Sequence, residues 1–369
     1  MVYYAPAIAM SLIMAYFFST EYELPNGVKV RLLRTFKIAF LVLLPLAFVA
    51  AFRWEVGSDT WYGASYWESY QAAKEGENIR DFEPLFYLFT WLVAKLDVPY
   101  FWYIFIHSLV FMLCVAYSIP RGSIQPVWTV AVFFLLYIFF DSFSALRQAL
   151  ATGFVIIALA NIIYMPASKK KDISIIALIT CASLFHSIAF IFIPIYIMCR
   201  FRLSRDALLK AAVVGVLAYP LLQVLLGFLN RFIKSEGTYT YSTNGVALVN
   251  LVLSFGIFVL CWYFYDSINE LDENAYIYMN MSLVVFILML NSGALYLAFR
   301  YFDMLKTLYL FTVPFIVKGI KNSRTRLLVQ TVLLMVFLLW FINAFFIQAN
   351  YASQYHSALS DWEKISNLP

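Results

Sequence analysis

The stretch Phe36 to Asp59, FKIAFLVLLPLAFVAAFRWEVGSD, decides the fold class of this chain. From Phe36 to Phe52 it carries one charge, Lys37, and it approaches the roughly 20 apolar residues that a membrane-spanning helix needs. Arg53, Glu55 and Asp59 then follow within a few residues, where hydrocarbon gives way to water. Ionisable groups are expensive at such a boundary, and their presence there marks a site. Arg147, His186 and Arg300 raise the same point inside later apolar segments.

The apolar texture extends through the whole sequence. Hydrophobic residues make up 63% and charged residues 13%, with a mean hydropathy of +0.79. A soluble domain carries about 25% charged residues, so these values point to a membrane protein. No stretch shows the ~10-residue alternation of a membrane barrel. The expected fold is therefore an all-α polytopic membrane protein, a single integral domain over residues 1–369. Tyr3 to Ser19 lacks a basic leader and a small-residue cleavage site, and reads as a retained span. A net charge of +5 carries no signature of nucleic acid, because the Lys and Arg sit in short loops where they set topology. Cys114, Cys181, Cys199 and Cys261 fall in apolar segments without ligand spacing and read as packing residues. The sequence has no P-loop, Gly-rich dinucleotide loop or nucleophile elbow.

Short loops rich in Lys and Arg stay on the cytoplasmic side. Four such clusters, at 29–37, 169–171, 200–210 and 318–326, are placed inside. That leaves both termini outside and makes residues 53–83 an external loop. The apolar run Ile173 to Cys199 lies between two cytoplasmic clusters, which a single crossing does not permit. A re-entrant helical hairpin over 173–199, turning near Phe185-His186-Ser187, satisfies the parity. Val127 to Phe140 is expected to run outward, with Asp141 to Ser144 as a short external turn. Pro84 to Leu96 is a partial or dipping segment. The expected total is about ten transmembrane helices plus the hairpin, with the unusual charges sharing one external cavity.

These residues, taken in order, resemble a known family. Arg53-x-x-x-Gly57-x-Asp59, an acidic stretch ending in Glu83-Pro84, Arg147-Gln148, Phe185-His186-Ser187 and Arg300-Tyr301-Phe302 resemble the EpsG family. That family is similar to the Wzy-type polymerases of O-antigen and capsular polysaccharides. The resemblance implies a membrane-embedded, GT-C-like glycosyltransferase with no cofactor, in the bacterial cytoplasmic membrane with its active site facing outward. Its implied partners are an undecaprenyl-pyrophosphate-linked donor and acceptor, membrane lipids, a flippase and a chain-length regulator. An O-antigen-ligase-like transferase and a lipid-linked oligosaccharide flippase or transporter are the alternatives; the second is expected to show paired repeat halves, which this sequence lacks.

Such chemistry needs a cation for the leaving diphosphate, a base for the acceptor hydroxyl and a groove for sugars. Guanidinium groups grip phosphate bidentately and stay charged in a low-dielectric site, which points to Arg147, Arg300 and Arg53. They stand where a divalent ion would otherwise be needed, since no metal-ligand constellation is evident in the sequence. These arginines are also of the kind that snorkel to an interface or pair with Asp141 or Asp303. His186 and Asp59 compete as the base, with Glu55 and Glu83 as further candidates. Trp61, Tyr62, Tyr66, Tyr239, Tyr241 and Tyr301 are the candidate sugar-stacking faces, with an aromatic belt at headgroup level as the other reading. Tyr62, Tyr66 and Tyr70 recur at helical spacing and line one face.

Overall fold

The computed structural model describes residues 3–54, 56–57, 59–60, 65–77, 82–225, 244–292, 298–348 and 356–357. Its helices are α1 (Tyr4–Phe18), α2 (Phe36–Ala51), α3 (Ser65–Glu75), α4 (Pro84–Ala94), α5 (Tyr100–Gly122), α6 (Pro126–Leu135), α7 (Ile138–Ser144), α8 (Leu146–Tyr164) and α9 (Lys169–Phe185). After a 3-10 turn at Ser187–Ile191 come α10 (Phe192–Cys199), α11 (Arg205–Leu217), α12 (Tyr219–Leu225), α13 (Asn244–Tyr263), α14 (Tyr265–Asn269) and α15 (Tyr276–Leu290). The last are α16 (Ala298–Leu305), α17 (Tyr309–Gly319) and α18 (Ser323–Ile342). The chain is an all-α membrane protein. Tyr100–Gly122, Leu146–Tyr164 and Ser323–Phe345 are each long and apolar enough to cross a bilayer, and counting the bent pairs α6/α7 and α11/α12 as one span each brings the number to five among the described residues. Shorter apolar helices, α1, α2, α4 and α15 among them, fill out the assembly.

A central layer runs α2, α5, α8, α9, each packed on the next. Every residue of α17 from Tyr309 to Val317 is buried, and this helix lies against α6 in the interior. A helix apolar on all sides belongs in such a place.

Three local features depart from the sequence expectation. Thr20–Glu23 (β1) and Lys29–Leu32 (β2) pair as an antiparallel hairpin within the first basic loop. Asn26-Gly27 turns it, with Gly27 at φ +79, a conformation that glycine adopts without steric cost. Second, Asp141 to Ser144 is not a turn: the chain bends by 45° at Leu136-Tyr137, with Tyr137 left-handed at φ +66, and α7 then carries residues 138–144. Third, Arg53–Trp54 (β3) pairs antiparallel with His356–Ser357 (β4), so the chain returns near its end to the residues that follow α2.

The run after Lys169 breaks at His186, which is extended at φ −156 and ψ 118. The chain then folds back on itself. Near the end of α10 the Tyr196 hydroxyl donates to Asp172 Oδ1 at 2.8 Å, and Arg200 pairs with Asp172 Oδ2 at 2.8 Å. Asp172 lies in the first turn of α9, so both basic ends of this hairpin sit together and His186 sits at the far tip. Helix α4, with 11 residues, is about 17 Å long, too short to cross a ~30 Å hydrocarbon core.

Candidate active site

The site forms where the starts of α4 and α8 meet the tip of the α9–α10 hairpin. Glu83 precedes Pro84 at the start of α4, and its backbone is held extended at φ −61 and ψ 149, as a residue before proline prefers. Its carboxylate does not cap its own helix. It reaches across to three other groups. Oε2 accepts from Arg147 at 2.9 Å, while Oε1 accepts from His186 Nδ1 at 2.8 Å and from the Ser187 backbone N–H at 3.0 Å. A carboxylate only accepts, so Nδ1 of His186 carries the proton and Nε2 is left as the basic nitrogen when the ring is neutral.

Burial works to raise the pKa of Glu83, but the hydrogen bonds from His186 and Ser187 and the charge of Arg147 outweigh it and bring the value down to about 2. The carboxylate is thus a fixed anion and a weak base. Its geometry is that of a group that orients others.

Arg147, in the first turn of α8, lies over the ring of Phe82 with its guanidinium carbon 4.9 Å from the centroid. The start of α8 is anchored from inside by His107, whose Nε2 lies 2.6 Å from the Leu146 carbonyl and therefore donates to it. His107 is fully buried, in keeping with a packed helix histidine. Gln148, the residue after Arg147, donates through Nε2 to the Arg300 carbonyl at 3.2 Å. Helix α16, which carries Arg300, also touches the 3-10 turn after His186. The elements bearing Arg147, His186 and Arg300 therefore converge, although the first and last of these residues are more than 150 positions apart in the chain.

Arg53 is placed differently from the expectation. The residue is 1% exposed; its guanidinium donates to the Ala50 carbonyl at 2.6 Å, to Ser108 Oγ and to the Ser142 carbonyl at 3.5 Å, and it lies 4.7 Å over the Phe143 ring. Turned into the protein in this way, it fastens the start of the 53–83 loop to α5 and α7 and does not present itself to a diphosphate. Gly57 completes the fastening against Phe143, with φ at +106. Asp59 is half-buried, and its carbonyl accepts from the Tyr66 N–H at 3.4 Å.

Tyr66, expected as a sugar-stacking face, is also turned into the protein. The helical spacing does put Tyr66 and Tyr70 on one face of α3, but that face points inward, leaving Tyr66 5% and Tyr70 0% exposed. Tyr66 packs on Phe82 and Phe86, and Tyr70 on Tyr100 and Tyr103. Neither offers a ring to a sugar. The Tyr66 hydroxyl faces the Arg147 backbone N–H at 3.5 Å; burial raises its pKa, partly offset by Arg147, so it stays a neutral phenol. Tyr301 is half-buried against the core. Glu55, Trp61, Tyr62, Tyr239 and Tyr241 lie outside the described residues.

One ionisable group escaped the sequence reading. Lys306, 2% exposed, pairs with Asp141 Oδ2 at 2.6 Å and Asp303 Oδ1 at 3.0 Å. The available signal was a lysine three residues after an aspartate within the apolar run from Phe302 to Val317. A hollow of about 760 Å³ lies beside Arg202, Arg205, Asp206, Asp266 and Glu270. It belongs to the basic end of the hairpin, the length of α9 away from His186.

In comparison with known proteins, the model of the EpsG family matches residues 36–357, most of the chain. No curated protein and no solved structure matches.

Proposed function

The chain belongs to the EpsG family, a Wzy-like polysaccharide polymerase family, and from that premise we propose that it joins undecaprenyl-pyrophosphate-linked repeat units by glycosyl transfer at the outer face of the bacterial cytoplasmic membrane. The observation that carries the mechanism is the convergence of Arg147, His186 and Ser187 on Glu83. In this reading Glu83 fixes the His186 ring with Nε2 as the base, as a carboxylate does for a catalytic histidine. Nε2 takes the proton from the acceptor hydroxyl as that oxygen bonds to the anomeric carbon of the donor. The bond from that carbon to the diphosphate oxygen breaks, its electron pair leaves with the diphosphate, and the configuration inverts. Arg147 and Arg300 hold the departing undecaprenyl pyrophosphate, whose negative charge grows through the step. Asp59 is left with a role beside the acceptor sugar.

The same reading takes the shorter helices as further crossings, to a total of ten in a GT-C-like membrane domain, with 173–199 re-entering from the cytoplasm. It is supported by the separation of charges, since Lys169–Lys171 and Arg200–Arg205 gather at the end of the hairpin opposite His186. A flippase supplies the repeats to that outer face and a chain-length regulator acts on the product. The pairing of Ser357 with Arg53 puts the returning chain on the side of the 53–83 loop. A cysteine at Ser357 is therefore expected to react with a membrane-impermeant maleimide on intact cells, over the background of the parent protein. Reaction only after permeabilisation reverses the orientation.

The central test is incubation of purified protein in nanodiscs with a lipid-pyrophosphate-linked repeat unit. A ladder at repeat-unit spacing is expected, unaffected by chelator because arginines carry the diphosphate. Arg147→Ala and Arg300→Ala are each expected to lower polymer by on the order of 10²-fold or more at normal protein level. Wild-type chain length in both variants removes the diphosphate role, and an authentic repeat unit left unchanged by the wild-type protein removes the polymerase reading.

A further inference from the structure

Lys306 opens a continuously buried stretch, Lys306 to Val317, between α16 and the interior of α17. An ammonium at that depth is costly unless paired, and a lone partner nearby in sequence is enough to neutralise it. Asp303 is such a partner, three residues back on the same helical stretch, and that contact joins nothing new. The contact with Asp141 at 2.6 Å is different, because Asp141 sits on α7, immediately before the helix that carries Arg147. A second tie runs alongside it, from Gln148 Nε2 to the Arg300 carbonyl at 3.2 Å. The segment that bears Arg300 is thus pinned at two points to the segment that leads into and includes Arg147.

Between these ties lies a small cavity bordered by Asp141, Asp303, Gln148 and Thr152, with about 10 Å³ open to the centre of a water-sized sphere. That is roughly the room of one water and far too little for a sugar ring. The charged cluster is therefore a fastening and not a substrate pocket.

We infer that Lys306 is a positioning residue for the transfer reaction: by bridging Asp141 and Asp303 it holds the Arg300 segment in register with Arg147, so that two guanidinium groups face one diphosphate. The inference rests on the reading of Arg147 and Arg300 as the diphosphate grip. Its physical basis is the steep dependence of such chemistry on placement, where an error of about 1 Å costs on the order of 10²-fold. Without the ammonium, no cation joins Asp141 to Asp303 and the bridge between the two segments is lost.

The experiment is a double-mutant cycle in nanodiscs, measuring turnover of the lipid-linked repeat unit for Lys306→Met, Arg300→Ala and the pair. Lys306→Met is expected to reduce turnover by about 10- to 100-fold. In the Arg300→Ala background the same change is expected to cost no more than about threefold, because residues acting through one another are not additive. Lys306→Arg, which keeps the charge and both partners, is expected to retain most of the rate. Should Lys306→Met fail to accumulate, the triple change Lys306→Met, Asp141→Asn, Asp303→Asn removes all three charges together, a replacement that buried ion clusters often tolerate. Hydrogen exchange over residues 138–150 and 298–308 is followed in parallel and does not depend on activity. Faster exchange in both segments together, with non-additive turnover, is the expected result. Additive losses, or unchanged exchange in both segments, overturn the positioning role. A wild-type protein that makes no polymer while exchange in the two segments still rises together rejects the polymerase reading and leaves the fastening in place.

Discussion

Glu83→Gln is expected to abolish most polymer formation, by on the order of 10²- to 10⁴-fold, at unchanged protein level. The amide keeps the size of the carboxylate but not its charge. Both oxygens are already committed, one to Arg147 and the other to His186 and the Ser187 N–H. An amide nitrogen in either place points a donor at a donor. With the nitrogen toward Arg147 the guanidinium loses its anion; with the nitrogen toward His186 the ring no longer has a reason to keep its proton on Nδ1. Either arrangement damages the base or the diphosphate grip, so the loss exceeds that of a single ion pair. Glu83→Asp keeps the charge but shortens the reach and is expected to fall between. The check is the repeat-unit ladder from membranes matched for protein content. A wild-type ladder from Glu83→Gln would remove Glu83 from the machinery.

The same carboxylate carries a pH signature. Its pKa in the folded protein is about 2 against an ordinary 4.5, and a depressed carboxylate stabilises the folded form above the ordinary value. That contribution is complete above about pH 4.5 and drains away as pH falls from there toward 2. Thermal unfolding midpoints of wild type and Glu83→Gln in detergent are therefore expected to differ at pH 5 and to converge as pH falls below 4.5. Parallel curves down to pH 3 would mean that the Glu83 contacts contribute no net stability.

Gly57→Ala is expected to do its damage before any chemistry. At φ +106 the backbone conformation is one that side chains rarely adopt, and the added Cβ falls against the Phe143 carbonyl and within 3.0 Å of Thr60 Oγ1. Backbone atoms give way poorly, so strain and overlap together are expected to cost about 3 kcal/mol or more, at the severe end for a single substitution. Because Arg53 and Gly57 fasten the same loop to Phe143, the loop that ends at Glu83 is loosened as well. The expected outcome is reduced accumulation and a lower melting temperature, with residual protein inactive. Gly27→Ala is the control: it also has a positive φ, +79, but its Cβ meets nothing within 4 Å. Equal stability of the two variants would argue that Gly57 is not held against Phe143.

Several parts of this structure follow from the sequence because they depend on composition or on local order. Apolar runs need lipid or each other, which gives the all-α membrane class; a histidine between two half-runs flanked by basic loops gives the break at His186. Arg147, His186 and Arg300 were recognisable one at a time, since each is an ionisable group kept at a cost in apolar surroundings, and Glu83 stood out only as the end of an acidic stretch before a proline. Their roles were not. Periodicity puts Tyr66 and Tyr70 on a common face but says nothing about whether that face meets water or protein, and here it meets Phe86 and Tyr103. Arg53 shows the same limit, because its partners Ser108 and Ser142 lie far along the chain and only packing makes them its neighbours.

The sequence by itself determined the lipid-soluble helical class and the short set of charged residues whose presence demands an explanation, because burial of a charge is penalised wherever the chain goes. Only the tertiary structure decided that Glu83 orients Arg147 and His186, that Arg53 is a fastening, and that Lys306 ties two distant segments together. Each of these depends on which groups lie within about 3 Å of one another across long chain separations, and that is set by how the helices pack.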